Sequence, residues 1–123
     1  MGENIVKNKS FSFALRIVRV VQFLKAEKRE FILYKQLLRS GTSVGAMIRE
    51  AEFAETKKDF IHKMSIVQKE INETIYWLEL LHETDFLPTD QYNSINLDAI
   101  EIIKLVTAII KSAKNRQSIT IKH

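Results

Sequence analysis

The sequence predicts an all-α chain, an antiparallel up-and-down four-helix bundle that assembles as a homo-oligomer. Three observations carry this. Only three Gly and one Pro occur in 123 residues, too few turn formers for a β-rich domain. Apolar residues recur at alternating three- and four-residue steps in four segments, the period of an amphipathic helix. The links between those segments are short, and short links turn consecutive helices back on one another.

The first helix is predicted from Ser10, as N-cap, to Glu27, after a flexible segment 1–9. A Ser hydroxyl can accept one of the backbone N–H groups left open at a helix start. This helix carries two apolar faces: Phe11, Ala14, Val18 and Val21 on one, Phe13, Ile17, Val20 and Leu24 on the other. The second is predicted over Arg29–Ala54, with Phe31, Tyr34, Leu38, Gly41, Gly45 and Ile48 on one stripe. The stretch Ser40–Ala46 resembles a loop in composition. The heptad phase nevertheless runs through it, which favours one continuous helix. Gly41 and Gly45 then share a face and permit close approach of a neighbouring helix, at a propensity cost of about 1 kcal/mol each. A phosphate-binding loop is disfavoured, because GxxxxGK[ST] spacing and a preceding strand are both missing.

The third helix is predicted over Thr56–Glu83, with Phe60, Met64, Val67, Ile71, Thr74, Leu78 and Leu81 in strict heptad phase. Thr56 can cap it, with Asp59 in the position where a capping box usually has Glu or Gln. The fourth is predicted over Thr89–Lys114, just after Pro88, with Tyr92, Ile95, Ala99, Ile102, Val106, Ile109 and Ala113 on its stripe. Residues 115–123 read as a basic frayed tail. The bundle proper is thus residues 10–114, one domain of ordinary size.

With no Cys in the chain, disulfides, thiolate metal sites and Cys nucleophiles are excluded, and a reducing, cytoplasmic setting is expected. MGENIVKNKS has no apolar core of a secretory signal, and no apolar run reaches the roughly 20 residues of a membrane span. The net charge of +4 hides a division. Residues 1–50 carry ten Lys+Arg against four Asp+Glu, residues 51–110 five against eleven, and residues 111–123 four against none. A solvated face and a surface for an anionic partner both fit that pattern.

Assembly is expected because the apolar surface exceeds what four helices need. Phe13, Ile17, Val20 and Leu24 form a stripe beyond the first, and Ile66, Trp77 and Leu80 form one on the third helix beside Glu70 and Glu73. The fourth adds Ile103 and Ile110. Burial is worth about 25 cal/mol per Å², and large exposed apolar patches mark contact surfaces. Catalytic chemistry finds no support in the spacing. Glu79-x-x-His82 and Asp59-x-x-His62 have the form of bundle metal ligands. Both lie on one helix, about 30 Å apart, and cannot share an ion within one chain. No metal, cofactor or catalytic residue is therefore expected. Glu70 and Glu73 are expected to pair with a cation such as Arg39 or Arg49, since an unpaired buried carboxylate is costly.

Lys9–Val18, Gln36–Ala46, Asp59–Lys63 and Glu73–Leu81, above all Arg39-Ser40-Gly41-Thr42-Ser43 and Tyr76-Trp77-Leu78, make the chain resemble a bacterial family. Its members are four-helix bundles encoded in intervening sequences of 23S ribosomal RNA genes. The resemblance covers nearly the whole chain, with Met47 where the family usually has Asn. It implies a homo-pentamer. A related branch, the accessory proteins of diversity-generating retroelements, implies contact with nucleic acid and a reverse transcriptase.

Two readings of function follow. In the first, a non-enzymatic oligomer binds RNA or DNA by the phosphates through Arg16, Arg19, Lys28, Arg29, Lys35, Arg39 and Arg49, joined by the tail residues Lys111, Lys114, Arg116 and Lys122. Arg39 and Arg49 have the structural alternative of pairing with glutamates. In the second, the oligomer docks a partner protein such as a reverse transcriptase without touching nucleic acid.

Overall fold

The structure, a computed structural model, describes residues 2–122, with side chains from Asn4 to Arg116. Four helices account for it: α1 Gly2–Ala26, α2 Tyr34–Ala51, α3 Lys57–Glu83 and α4 Thr89–Lys122. No strand occurs among the described residues. Each helix packs on its neighbours in chain order, and α1 closes the bundle against α4.

α1 starts eight residues before the predicted Ser10. Val6 and Ser10 continue the stripe of Phe13, Ile17 and Leu24 at helical spacing, and all five are buried. Ser10 is therefore no N-cap; its hydroxyl donates to the Lys7 carbonyl within the helix, at 2.9 Å. The stripe assigned to contact between copies, Phe13, Ile17, Val20 and Leu24, is instead the core face of α1. Phe11 and Val18, placed on the inner face by the sequence, are 50% and 37% exposed, and Leu15 between them is 45% exposed. Two apolar stripes on one helix compete for one core, and the fit to α2 decides which enters. A Cβ on Gly41 would lie 2.8 Å from Ile17 Cγ1 and Cγ2, and one on Gly45 would lie 3.4 Å from the Ser10 carbonyl oxygen. Ser40–Ala46 is helical throughout.

α2 begins at Tyr34 and not at Arg29. Arg29 takes a left-handed φ of 52°, which ends α1, and residues 27–33 form the link. Phe31, predicted on the core stripe, is in this link and exposed. The first turn of α2 has no side-chain cap at Leu33. Glu30, 5% exposed, serves in its place. Its carboxylate accepts the Tyr34 N–H at 2.7 Å and the Ile32 N–H at 3.2 Å.

α3 starts with the expected cap: Thr56 accepts from the Asp59 N–H at 2.9 Å. Asp59 returns by accepting the Glu55 N–H at 3.2 Å and pairs with Lys63 at 2.9 Å. Its heptad residues Met64, Val67, Ile71, Thr74, Leu78 and Leu81 are buried. α4 extends beyond the predicted Lys114 to Lys122. Ile110, assigned to surplus surface, is buried in the core.

The Gly41 contact gives a discriminating test. Gly41→Ala forces a methyl against the β-branched, fully buried Ile17, and overpacking costs about 1–3 kcal/mol. The helix-propensity gain of about 1 kcal/mol offsets this only in part. Gly45→Ala meets ordinary contact and keeps the gain. Urea unfolding is expected to show Gly41→Ala destabilised and Gly45→Ala equal to or above wild type. Glu30→Ala is expected to lose about 1–2 kcal/mol, as removal of a helix cap does.

Candidate nucleic-acid interface

The predicted basic residues divide into three groups once the helices are in place. Arg39, on the surface, is committed to partners within the chain. On α2 it reaches across to α3, pairing with Glu70 at 3.1 Å and with Glu73 in a short contact. Glu70 also accepts from the Ser43 hydroxyl at 3.0 Å, and Glu73 accepts the Trp77 indole N–H at 3.0 Å. Below this seam the Ser40 and Thr74 hydroxyls lie 2.9 Å apart in the core. The Trp77 indole, and after it the Arg39 guanidinium, hold the Glu73 carboxyl below the usual range against some loss of hydration. Glu73 foremost, with Glu70, raises the Arg39 pKa further above its ordinary value. Ion pairs this exposed contribute about 0–1 kcal/mol each, so the seam fixes how α2 and α3 align more than how stable they are. Both carboxylates are occupied by donors, which leaves neither placed as a free general base.

Arg16 is also committed. It pairs with Asp98 of α4 at 2.6 Å and donates to the Ser94 hydroxyl at 2.9 Å. Lys7–Glu52 and Lys9–Glu101 are further cross-links of the same kind. Lys9, Arg16 and Arg39 thus join the basic α1–α2 half to the acidic α3–α4 half. Arg49 is exposed and pairs with neither Glu70 nor Glu73. Its guanidinium lies 5.3 Å from the centre of the Phe11 ring, on the outer side of the α1–α2 groove.

The third group is uncommitted. Arg19, Lys25, Lys28, Arg29 and Lys35 are all exposed, and none forms an ion pair among the described residues. They surround the end of α1, the link and the start of α2. Lys25 was absent from the sequence-derived set; it sits 5.1 Å from the Tyr34 ring centre. Of the tail residues, Lys111, Lys114 and Arg116 lie along the last described turns of α4. Arg116 donates to Ser112 at 3.3 Å, and Lys122 falls outside the described side chains.

The remaining predicted contact residues, Ile66, Trp77 and Leu80, lie half-buried along the α2–α3 seam. Among the described residues no three His, Asp or Glu side chains are grouped to hold a metal ion. Among the described residues no helix is long and apolar enough to cross a membrane.

Residues 2–108 match the family described as 23S rRNA-intervening sequence protein. A crystal structure of a protein of unknown function from Bacteroides thetaiotaomicron, described as of the S23 ribosomal protein family, is 56% identical. The match covers 90% of this chain and 99% of that one, with a TM-score of 0.89. No curated protein matches.

The seam carries a pH test. A carboxyl held below its unfolded value adds stability that is present above about pH 4.3 and is lost as pH falls through the folded value. Trp77→Phe removes the largest cause of that depression. Its acid unfolding limb is expected to begin at higher pH than that of wild type, with Arg39→Met displaced in the same direction. Coincident acid limbs for wild type and Trp77→Phe would contradict the assignment.

Proposed function

The chain belongs to the 23S rRNA-intervening sequence protein family, and on that premise we propose that it is a non-enzymatic, cytoplasmic nucleic-acid-binding oligomer. Its subunit is an antiparallel up-and-down four-helix bundle that binds RNA or DNA by the phosphates. The antiparallel course is supported by paired contacts whose numbers rise on one helix and fall on the next. Ser10 and Ile17 lie against Gly45 and Gly41, Arg39 and Ser43 against Glu73 and Glu70, and Lys9 and Arg16 against Glu101 and Asp98.

The observation that carries the reading is that Arg19, Lys25, Lys28, Arg29 and Lys35, close together around the α1–α2 link, are exposed and form no ion pair among the described residues. Cations already engaged with carboxylates cannot neutralise phosphate without breaking those pairs; these five can. Self-assembly is supported by the outer stripe Phe11, Leu15 and Val18 on α1. It lies beside a groove of 290 Å³ formed with Thr42, Ala46 and Arg49 of α2. Five copies are what the family resemblance implies. The same stripe favours a second reading, a scaffold that docks a partner protein such as a reverse transcriptase without nucleic-acid contact. Absence of cysteine fits a reducing compartment.

Fluorescence anisotropy with mixed-sequence RNA and DNA is expected to show binding at about 50 mM salt that weakens steeply by about 200 mM. Neutralising Arg19, Lys28 and Lys35 should lower the salt slope by about 0.7 per contact on single strands. Silence at the lower salt ends the nucleic-acid reading and leaves the scaffold. Light scattering at micromolar chain is expected to give a multiple of 14.3 kDa, and Leu15→Glu to shift the mass towards the single chain. A wild-type mass of one chain would rule out assembly.

A further inference from the structure

One groove on the α1–α4 flank brings an aromatic ring beside two arginines. It has a volume of 340 Å³ and is lined by Arg16, Arg19, Val20, Phe23 and Gln91. Lys28 overhangs it, with Nζ 5.9 Å from the centre of the Phe23 ring. Phe23 is half-buried against the core, lines the groove and has the exposed Lys28 ammonium near its ring. The floor is Val20 and the wall is Arg16, held in place by Asp98 and Ser94. Arg19 and Lys28 are the two movable charges, with no carboxylate partner among the described residues. Glu27 and Asp90, both exposed, are the chain neighbours of Lys28 and Gln91 and limit how much negative charge the groove tolerates.

We propose that this groove holds one unpaired nucleotide of a single-stranded nucleic acid, its base against Phe23 and its flanking phosphates on Arg19 and Lys28. The proposal rests on the nucleic-acid reading above and adds to it a strand preference and a place. An aromatic face beside mobile cations is the combination that single-strand sites use: stacking tolerates any base, and the cations follow the backbone. The volume sits at the small end of the range for ligand sites, which suits one nucleotide and not a helix. A duplex keeps its bases stacked inside, where Phe23 has nothing to meet. An acidic peptide would engage the two cations and leave the ring unused. Gln91 on the far wall offers a donor and an acceptor to a base edge.

The test is anisotropy of the full chain at about 50 mM salt with a fluorescein-labelled single-stranded oligonucleotide of mixed sequence, and with the matching duplex. Phe23→Leu keeps an apolar side chain and removes the ring face. It is expected to weaken single-strand binding by about tenfold and to leave any duplex binding unchanged. Arg19→Ala, on an exposed side chain, is expected to weaken single-strand binding by a similar factor without changing the melting temperature. Lys35→Ala, on α2 and away from the groove, is expected to have a smaller effect. Wild-type binding that survives both Phe23→Leu and Arg19→Ala overturns the groove and leaves the general basic-surface reading intact. So does duplex binding without single-strand binding, or equal loss on both substrates. A wild-type chain that binds neither substrate overturns the reading and the groove together. Circular dichroism melting of each variant separates loss of the groove from loss of the fold.

Discussion

The close approach of α1 and α2 at Gly41 settles more of this molecule than any other contact. The side chain of Ile17 fills the space that a Cβ at residue 41 would take, and a turn away Ser10 rests against Gly45. Small residues at two successive turns let the axes come close, and a β-branched side chain then locks the fit. Because Ile17 points inward, so do Val6, Phe13 and Leu24, which share its side of α1. Phe11, Leu15 and Val18 are turned outward by the same rotation. The surface offered to partners is thus a consequence of a core contact. A rotation of α1 by one stripe would exchange core and surface together.

Electrostatics acts on this frame second. Arg39 between Glu70 and Glu73, Arg16 on Asp98, Lys9 on Glu101 and Lys7 on Glu52 bridge separate helices or their ends. Exposed pairs of this sort add little stability. Their value is in alignment, since a slide of one turn, about 5.4 Å, would break several at once and set like charges together. They also sort the basic residues. Cations in the middle of the bundle find carboxylates across a groove. Those near the α1–α2 link, from Arg19 to Lys35, have the buried Glu30 and the exposed Glu27 as their nearest acids in the chain. Glu30 is already engaged in capping α2. The cations around the α1–α2 link are thus left without carboxylate partners among the described residues.

How much of this was legible in the sequence depended on whether the deciding interaction was local. α3 could be read almost to the residue, because its heptad is unbroken and Thr56 and Asp59 cap it within one turn. The continuity of α2 through its two glycines was legible from phase alone. Its start was not. The cap comes from Glu30, outside the helix, after Arg29 has turned left-handed, and no local motif announces that. The N-terminal half of α1 was hidden because the polar Ser10 interrupts its stripe, although burial beside Gly45 suits a small hydroxyl residue well. The choice between the two stripes of α1 could not be made from spacing, since both are apolar at the same period and only the fit to Gly41 separates them. At the candidate site, the need of Glu70 and Glu73 for a cation was readable and Arg39 was one of two candidates. The place of Arg49 on Phe11 and of Lys28 over Phe23 depends on how helix ends and neighbouring helices meet.

The apolar stripe and the basic groove draw on different residues, and that bears on how they could work together. The apolar stripe runs along the side of α1, while the cations and the Phe23 groove lie towards the end of the bundle. A contact through the side leaves the end accessible. In a closed ring, cyclic symmetry gives every copy the same orientation relative to the axis. With the bundle axes along that axis, all the basic ends lie on one rim. A groove that holds one nucleotide weakly then becomes one of several sites on a common perimeter. A single strand tracking that rim would meet each successive site at high effective concentration, so that modest single-site affinity multiplies without any new contact. On the proposed function, assembly and binding would be coupled in this way through geometry, even though no residue of the groove belongs to the stripe.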